Sequence, residues 1–225
     1  MYNFITGPLA GFSFLVFLVG LLIRSLVYIR GLDTSLDRVS YGVDTTSGVK
    51  EAFRSIFYWL LPFGTRGWRL HPGMTALFFI FHFGLLLSAV GSQAHNILLK
   101  ERWGISFFSL PDRIVDLLTL LVLATAVGLI FRRLLMPQVR ILTKPSDYLL
   151  MIITIAPFLS GFLAYHQVSS YPFWMITHIL SGELLLMAVP FTRLSHCFLF
   201  FFTRAQLGMD FGIKRGGLKR ARMAW

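Results

Sequence analysis

Residues 173–202 read FWMITHILSGELLLMAVPFTRLSHCFLFFF, a long apolar run interrupted by two histidines, a glutamate and an arginine. A transmembrane helix needs about 20 mainly apolar residues to cross ~30 Å of hydrocarbon. The run is long enough to span a bilayer. Ionisable side chains inside a span are costly, so their presence points to function.

Four further segments of the same character lie upstream, at about Leu9–Ile29, Thr75–Leu99, Ile114–Met136 and Tyr148–Tyr165. Pro72, Pro111, Pro137, Pro145 and Pro172 sit at the ends of spans two to five, where a missing N–H costs little. The expected fold is an all-α integral membrane protein, a five-transmembrane-helix bundle over residues 1–225 read as a single membrane domain. Composition agrees: 56% of residues are hydrophobic and 14% charged, against ~25% charged in an average soluble domain. A soluble enzyme, a disordered chain and a collagen-like repeat are excluded. The net charge of +11 serves topology rather than nucleic acid, because the basic residues flank apolar runs. The single cysteine, Cys197, allows no internal disulfide and no CxxCH haem attachment. The first span has no basic residue before Arg24, so it is expected to persist rather than to be removed as a secretory signal.

Lysine and arginine in the connections orient the bundle. The 1–2 connection, the 3–4 connection and the C-terminal segment hold sixteen, Arg38, Lys50, Arg54, Lys219, Arg220 and Arg222 among them; the opposite side holds only Lys100, Arg102 and Arg113. The N-terminus is therefore expected outside and the C-terminus in the cytoplasm of a bacterial inner (cytoplasmic) membrane. Residues 30–72 form a cytoplasmic connection and 203–225 a basic cytoplasmic tail. Within the connection Phe53, Ile56, Phe57, Leu60 and Leu61 recur at i, i+3, i+4, i+7 and i+8. That spacing predicts an amphipathic helix lying in the membrane interface.

His82, His178 and His196 fall within spans; His95 and His166 fall at span ends on the outer side. His178 and His196 are 18 residues apart, five turns of a continuous helix, and so would share one face. Spans two and five run antiparallel, so His82 matches His196 in depth and His95 matches His178, within about 7–8 Å. Two pairs at two depths suit bis-imidazole ligation of two b-type haems. His82 and His95, about 3.6 turns apart, do not share a face of a regular helix; Gly91-Ser92 is where the helix could end or bend.

The runs Phe81-His82-Phe83-Gly84, Arg132-Arg133-Leu134 before Pro137-Gln138-Val139-Arg140, and Pro190-Phe191-Thr192-Arg193-Leu194-Ser195-His196 resemble the cytochrome b (gamma) subunit of respiratory nitrate reductase. The resemblance covers roughly residues 75 to 200. Gly161-Phe-Leu-Ala-Tyr-His-Gln167, His178-Ile-Leu-Ser-Gly-Glu183 and Phe200-Phe-Phe-Thr-Arg204 are closer to the b-type membrane subunits of sulfate-reducer transmembrane redox complexes, the Hmc and Tmc type. The resemblance implies two haem b groups held by histidines of the second and fifth helices. His82, His178 and His196 match three of those ligands, while the fourth position is Ser92. His95 or His166 is then the second ligand of the outer iron, and His95 is preferred because ligation can distort one turn after Gly91.

Arg193, one turn before His196, is placed to meet a haem propionate or to snorkel to the interface. Glu183, Tyr165 and His166 are the candidates for proton-coupled quinone chemistry on the outer side, with menaquinone as a candidate ligand. The expected function is a dihaem electron-transfer subunit passing electrons between a quinone pool or periplasmic cytochrome and a cytoplasmic partner. By resemblance the partners are a cytoplasmic iron–sulfur subunit, a periplasmic multihaem cytochrome c and other membrane subunits, with no nucleic acid. The competing expectation is a haem-free membrane anchor or a small proton-relaying transporter subunit.

Overall fold

The computed structural model describes residues 2–32 and 45–215. All regular structure among them is helical: α1 Tyr2–Arg30, α2 Thr45–Leu60, α3 Arg66–Leu70, α4 Pro72–Gly91, α5 Gln93–Trp103, α6 Asp112–Leu135, α7 Pro137–Arg140, α8 Pro145–Tyr165, α9 Tyr171–Phe191 and α10 His196–Arg215. Five of them, α1, α4, α6, α8 and α9, are long and apolar enough to cross a membrane. The apolar side chains that these helices leave exposed, such as Leu18, Leu22, Leu86, Leu117 and Ile152, suit a lipid surround.

Two breaks bear on the sequence reading. Span two was expected to reach Leu99, with Gly91-Ser92 as the point where it could end or bend, and α4 does end at Gly91. Ser92 is extended (φ −63°, ψ 127°), and α5 starts at Gln93. Span five was expected to continue to Phe202, but α9 ends at Phe191. Pro190 lacks an N–H to extend the ladder, and Thr192 is extended (φ −121°, ψ −176°). Thr192 Oγ1 then accepts from Leu194 N at 3.2 Å, opening a 3₁₀ turn over Arg193–Ser195 that leads into α10. His178 and His196 therefore stand on different helices, and the five-turn argument for a shared face does not hold.

Contacts divide the chain into two compact units, Met1–Phe14 with Ala76–Leu186 and Leu15–Thr75 with Met187–Trp225. The first has a core of Phe81, Val122 and Ala126, with Leu85, Leu129, Met151, Ile155 and Phe158 packed against it. Gly84 lets α4 approach α6 closely, since a Cβ there would lie 2.8 Å from Val122 Cγ2. Asp147 caps α8 by accepting from Lys144 N at 2.8 Å and stands 4.0 Å from Arg133 on α6. Small hydroxyls in the interior satisfy themselves on their own helices: Ser88 donates to Gly84 O at 2.7 Å, Thr154 to Leu150 O at 2.7 Å and Ser160 to Ala156 O at 2.7 Å.

In the second unit α2 lies against α10. Its buried face is Gly48, Ala52 and Ser55, and Gly208 of α10 meets the α2 backbone at Glu51 and Ala52. The predicted amphipathic helix is present and part of its apolar stripe is exposed, Phe53 at 70% and Phe57 at 59%, while Phe53 and Ile56 line a groove with Phe201, Phe202, Ala205 and Met209 of α10. Arg204 stacks over the Trp59 ring at 4.4 Å, and burial there lowers its guanidinium pKa from the usual value. Tyr28 donates its hydroxyl to Gln206. Of the basic residues used for orientation, Arg38, Lys219, Arg220 and Arg222 lie outside the described residues. The segment expected as a tail from residue 203 continues α10 to Arg215.

Candidate functional site

The break after α4 turns His95 toward α9. Its ring lies parallel to that of His178, with 7° between the planes and 5.8 Å between the centres. Parallel rings at that centre distance form an offset pair. Each is aimed by a backbone carbonyl. His95 Nδ1 donates to Ala89 O at 2.8 Å, and His178 Nδ1 donates to Pro157 O at 2.7 Å. A carbonyl can only accept, so both Nδ1 atoms carry a proton and both Nε2 atoms present a lone pair in the neutral ring. Neither Nε2 has a hydrogen-bond partner among the described residues.

Gly161 makes the room on the α8 side. A Cβ there would lie 2.8 Å from His178 Nδ1 and 2.9 Å from its Cε1. The last three carbonyls of α4 are all used. Ala89 O accepts from His95, Val90 O from Asn96 Nδ2 at 2.9 Å, and Gly91 O from Leu110 N at 2.8 Å. This matters within a membrane, where an orphaned backbone group has no water to turn to.

The other candidates are distributed as follows. His82 in the first unit donates Nδ1 to Phe78 O at 2.8 Å and packs on the Phe78 ring at 4.1 Å. His196, in the second unit, opens α10 and donates Nδ1 to Arg193 O at 2.9 Å. All four candidate ligands thus share one tautomer, fixed by a main-chain acceptor, which is the usual support of a metal-binding imidazole. His166 does not share it. Its Nε2 bonds Asp116 Oδ1 at 2.8 Å, a partner on α6 that the sequence reading missed. The available signal was an acid inside a predicted span.

Glu183 is 5% exposed, and neither carboxyl oxygen has a partner among the described residues. Tyr165 is exposed, with its ring against His166 at 5.2 Å. No hydrogen bond joins Glu183 to Tyr165 or His166 among the described residues, so the expected three-residue cluster is not assembled by direct contact. Among the described residues no group of three or more His, Cys, Asp or Glu side chains is placed to hold a bare metal ion. A haem asks less of the chain, because the porphyrin supplies four ligands and leaves two axial positions. The donor set suits it, since the Nδ1 bonds to Ala89 O and Pro157 O leave both Nε2 lone pairs available.

Over 220 residues, 98% of this chain and 97% of the other, the sequence is 47% identical to a chain from Nitratidesulfovibrio vulgaris (strain Hildenborough) described as "Protein". No family model matches the chain, and no solved structure gives a significant match.

Proposed function

The chain belongs to the same family as this Nitratidesulfovibrio vulgaris protein, and we propose that it is a b-type cytochrome subunit that carries electrons across a membrane. The observation that carries the proposal is the pair His95 and His178, whose rings lie parallel with centres 5.8 Å apart and are each fixed by a carbonyl on Nδ1. Histidine imidazoles are among the side chains that hold a haem iron. When bound, the haem supplies reversible one-electron chemistry.

The chain's own residues do the rest. Ala89 O and Pro157 O hold the two rings in the tautomer that offers Nε2. Gly161 leaves space for the His178 ring. The apolar spans around the pair exclude water and lower the dielectric, which sets the potential. His82 and His196 are the proposed ligands of a second haem toward the cytoplasmic side, a reading that rests on their sequence pattern and the resemblance alone. Arg193, whose carbonyl holds the His196 ring, is the proposed propionate contact.

Glu183 is the proposed proton-handling group of a quinone site, with menaquinone as the candidate. A buried carboxyl with neither oxygen partnered among the described residues is available to a ligand or to a proton in transit. Tyr165 and the His166–Asp116 pair are its proposed outer neighbours. The reading places the N-terminus outside a bacterial inner membrane, with an iron–sulfur subunit on the cytoplasmic face and a multihaem cytochrome c on the other.

Reduced-minus-oxidised spectra of the full chain purified from membranes test the proposal. Low-spin b-type bands with a haem-to-protein ratio near two are expected. A chain that inserts normally and shows no such bands is instead a haem-free anchor or transporter subunit.

A further inference from the structure

We infer that Asn96 is the positioning residue of the outer haem site, holding the helix break that aims His95 at His178. The inference rests on the proposed ligation by that pair and adds a residue that touches neither haem nor ring.

Asn96 is 4% exposed and saturates its amide. Nδ2 donates to Val90 O at 2.9 Å, with Ser92 O and Phe108 O each at 3.1 Å, and Oδ1 accepts from Phe107 N at 2.7 Å. Its own N–H returns to Ser92 O at 3.1 Å. One side chain therefore ties three pieces of backbone together: the end of α4, the extended residue at the break, and the segment after α5. Leu110 N reinforces the link by donating to Gly91 O at 2.8 Å, and a Cβ on Gly91 would strike Leu110 Cδ1 at 2.8 Å.

His95 immediately precedes Asn96, so the direction of its ring follows from where the first turn of α5 is held. On an unbroken helix His95 would not face the same way as residues that share a stripe with His82. The break removes that constraint, and Asn96 makes the broken geometry a fixed one. An apolar side chain of similar size could not do this, because Val90 O, Phe108 O and Phe107 N would be left without partners in a water-poor region.

The test compares Asn96→Ala, Asn96→Asp and His95→Ala in the purified full chain, reading haem-to-protein ratio, low-spin resonance signals and the midpoint potential of each haem. In Asn96→Ala the ratio is expected to fall from about two toward one, with the same signal lost as in His95→Ala and the other haem unmoved. Asn96→Asp keeps the bond from Phe107 N but loses the amide donors, so the outer signal should persist with a shifted potential. If His95→Ala loses one signal while Asn96→Ala keeps both at unchanged potentials, the role of Asn96 is overturned and the haem assignment stands. If His95→Ala keeps both signals, the ligand assignment itself fails. Should Asn96→Ala not accumulate in membranes, an Asn96→Asp protein with an unaltered outer haem overturns the inference.

Discussion

Gly161→Ala is the sharpest test of how the His178 ring is held. A methyl at this position would sit 2.8 Å from Nδ1 and 2.9 Å from Cε1 of His178, where ordinary contact begins at 3.4 Å. The ring must retreat by about 0.6 Å to relieve the clash. Both the methyl and the Pro157 carbonyl belong to α8, so the retreat stretches the 2.7 Å hydrogen bond to roughly 3.3 Å, the edge of a useful interaction. Overpacking of this kind costs about 1–3 kcal/mol. In the haem-free protein the ring can rotate aside, whereas a liganded ring cannot, so the cost falls on binding. It amounts to roughly a 5- to 150-fold loss of affinity at the outer site. Folding stability should change less, since replacing a helical glycine with alanine returns about 1 kcal/mol. The assay is titration of haem into the purified haem-depleted chain, followed by its low-spin signals, with a thermal melt alongside. Gly182→Ala is the internal control, because nothing lies within 4 Å of a Cβ there. Equal outer-haem affinity in Gly161→Ala, Gly182→Ala and the unmodified chain would refute the reasoning.

The remaining predictions address other parts of the molecule. His82→Ala and His196→Ala should each remove one b-type signal and leave insertion intact; unchanged haem content in both would end that assignment. Glu183→Gln should preserve haem content and slow quinol-dependent haem reduction at least several-fold, and an unaltered rate counts against a quinone role. Asp147→Ala should lower stability by about 1 kcal/mol through loss of the cap on α8, seen as a reduced melting temperature with an unchanged haem spectrum. Gly208→Val should detach α2 from α10, because its side chain meets main chain at Glu51 and Ala52 that cannot yield. The expected cost is ~3 kcal/mol, read as faster protease cleavage within residues 45–60.

The membrane spans were legible because they follow from length and apolar content, which a bilayer demands of any helix that crosses it. Their ends were less so. At Ser92 and Thr192 the backbone turns extended within hydropathy that continues unbroken, and the groups that make this affordable are remote: the Leu110 N–H at one, and at the other a cap made by Thr192 itself. The proposed role of the histidines rests on the cost of polar groups in lipid. The carbonyls that orient each ring were not legible, since Pro157 becomes a partner of His178 only once α8 and α9 pack. Gly161 lay inside a quoted motif without a stated role, because what its missing side chain admits depends on a residue from the next helix. Asp116 was overlooked although an acid within span three invites a search for its partner.

The closure of the break by Asn96 also sets an order of assembly. Its partners at Phe107 and Phe108 lie 11 and 12 residues downstream, so the end of α4 emerges from synthesis with carbonyls that nothing yet answers. The turn becomes complete only when the following segment has been made and folded back. His178 arrives later still, several seconds afterwards at ~5–20 residues per second. His95 is in place, tautomer and all, before the ring opposite it exists. On the proposed ligation, a haem that needs both rings would enter only after the last span has been delivered, so chains stalled short of that point would be ordered around Asn96 and unable to load that haem.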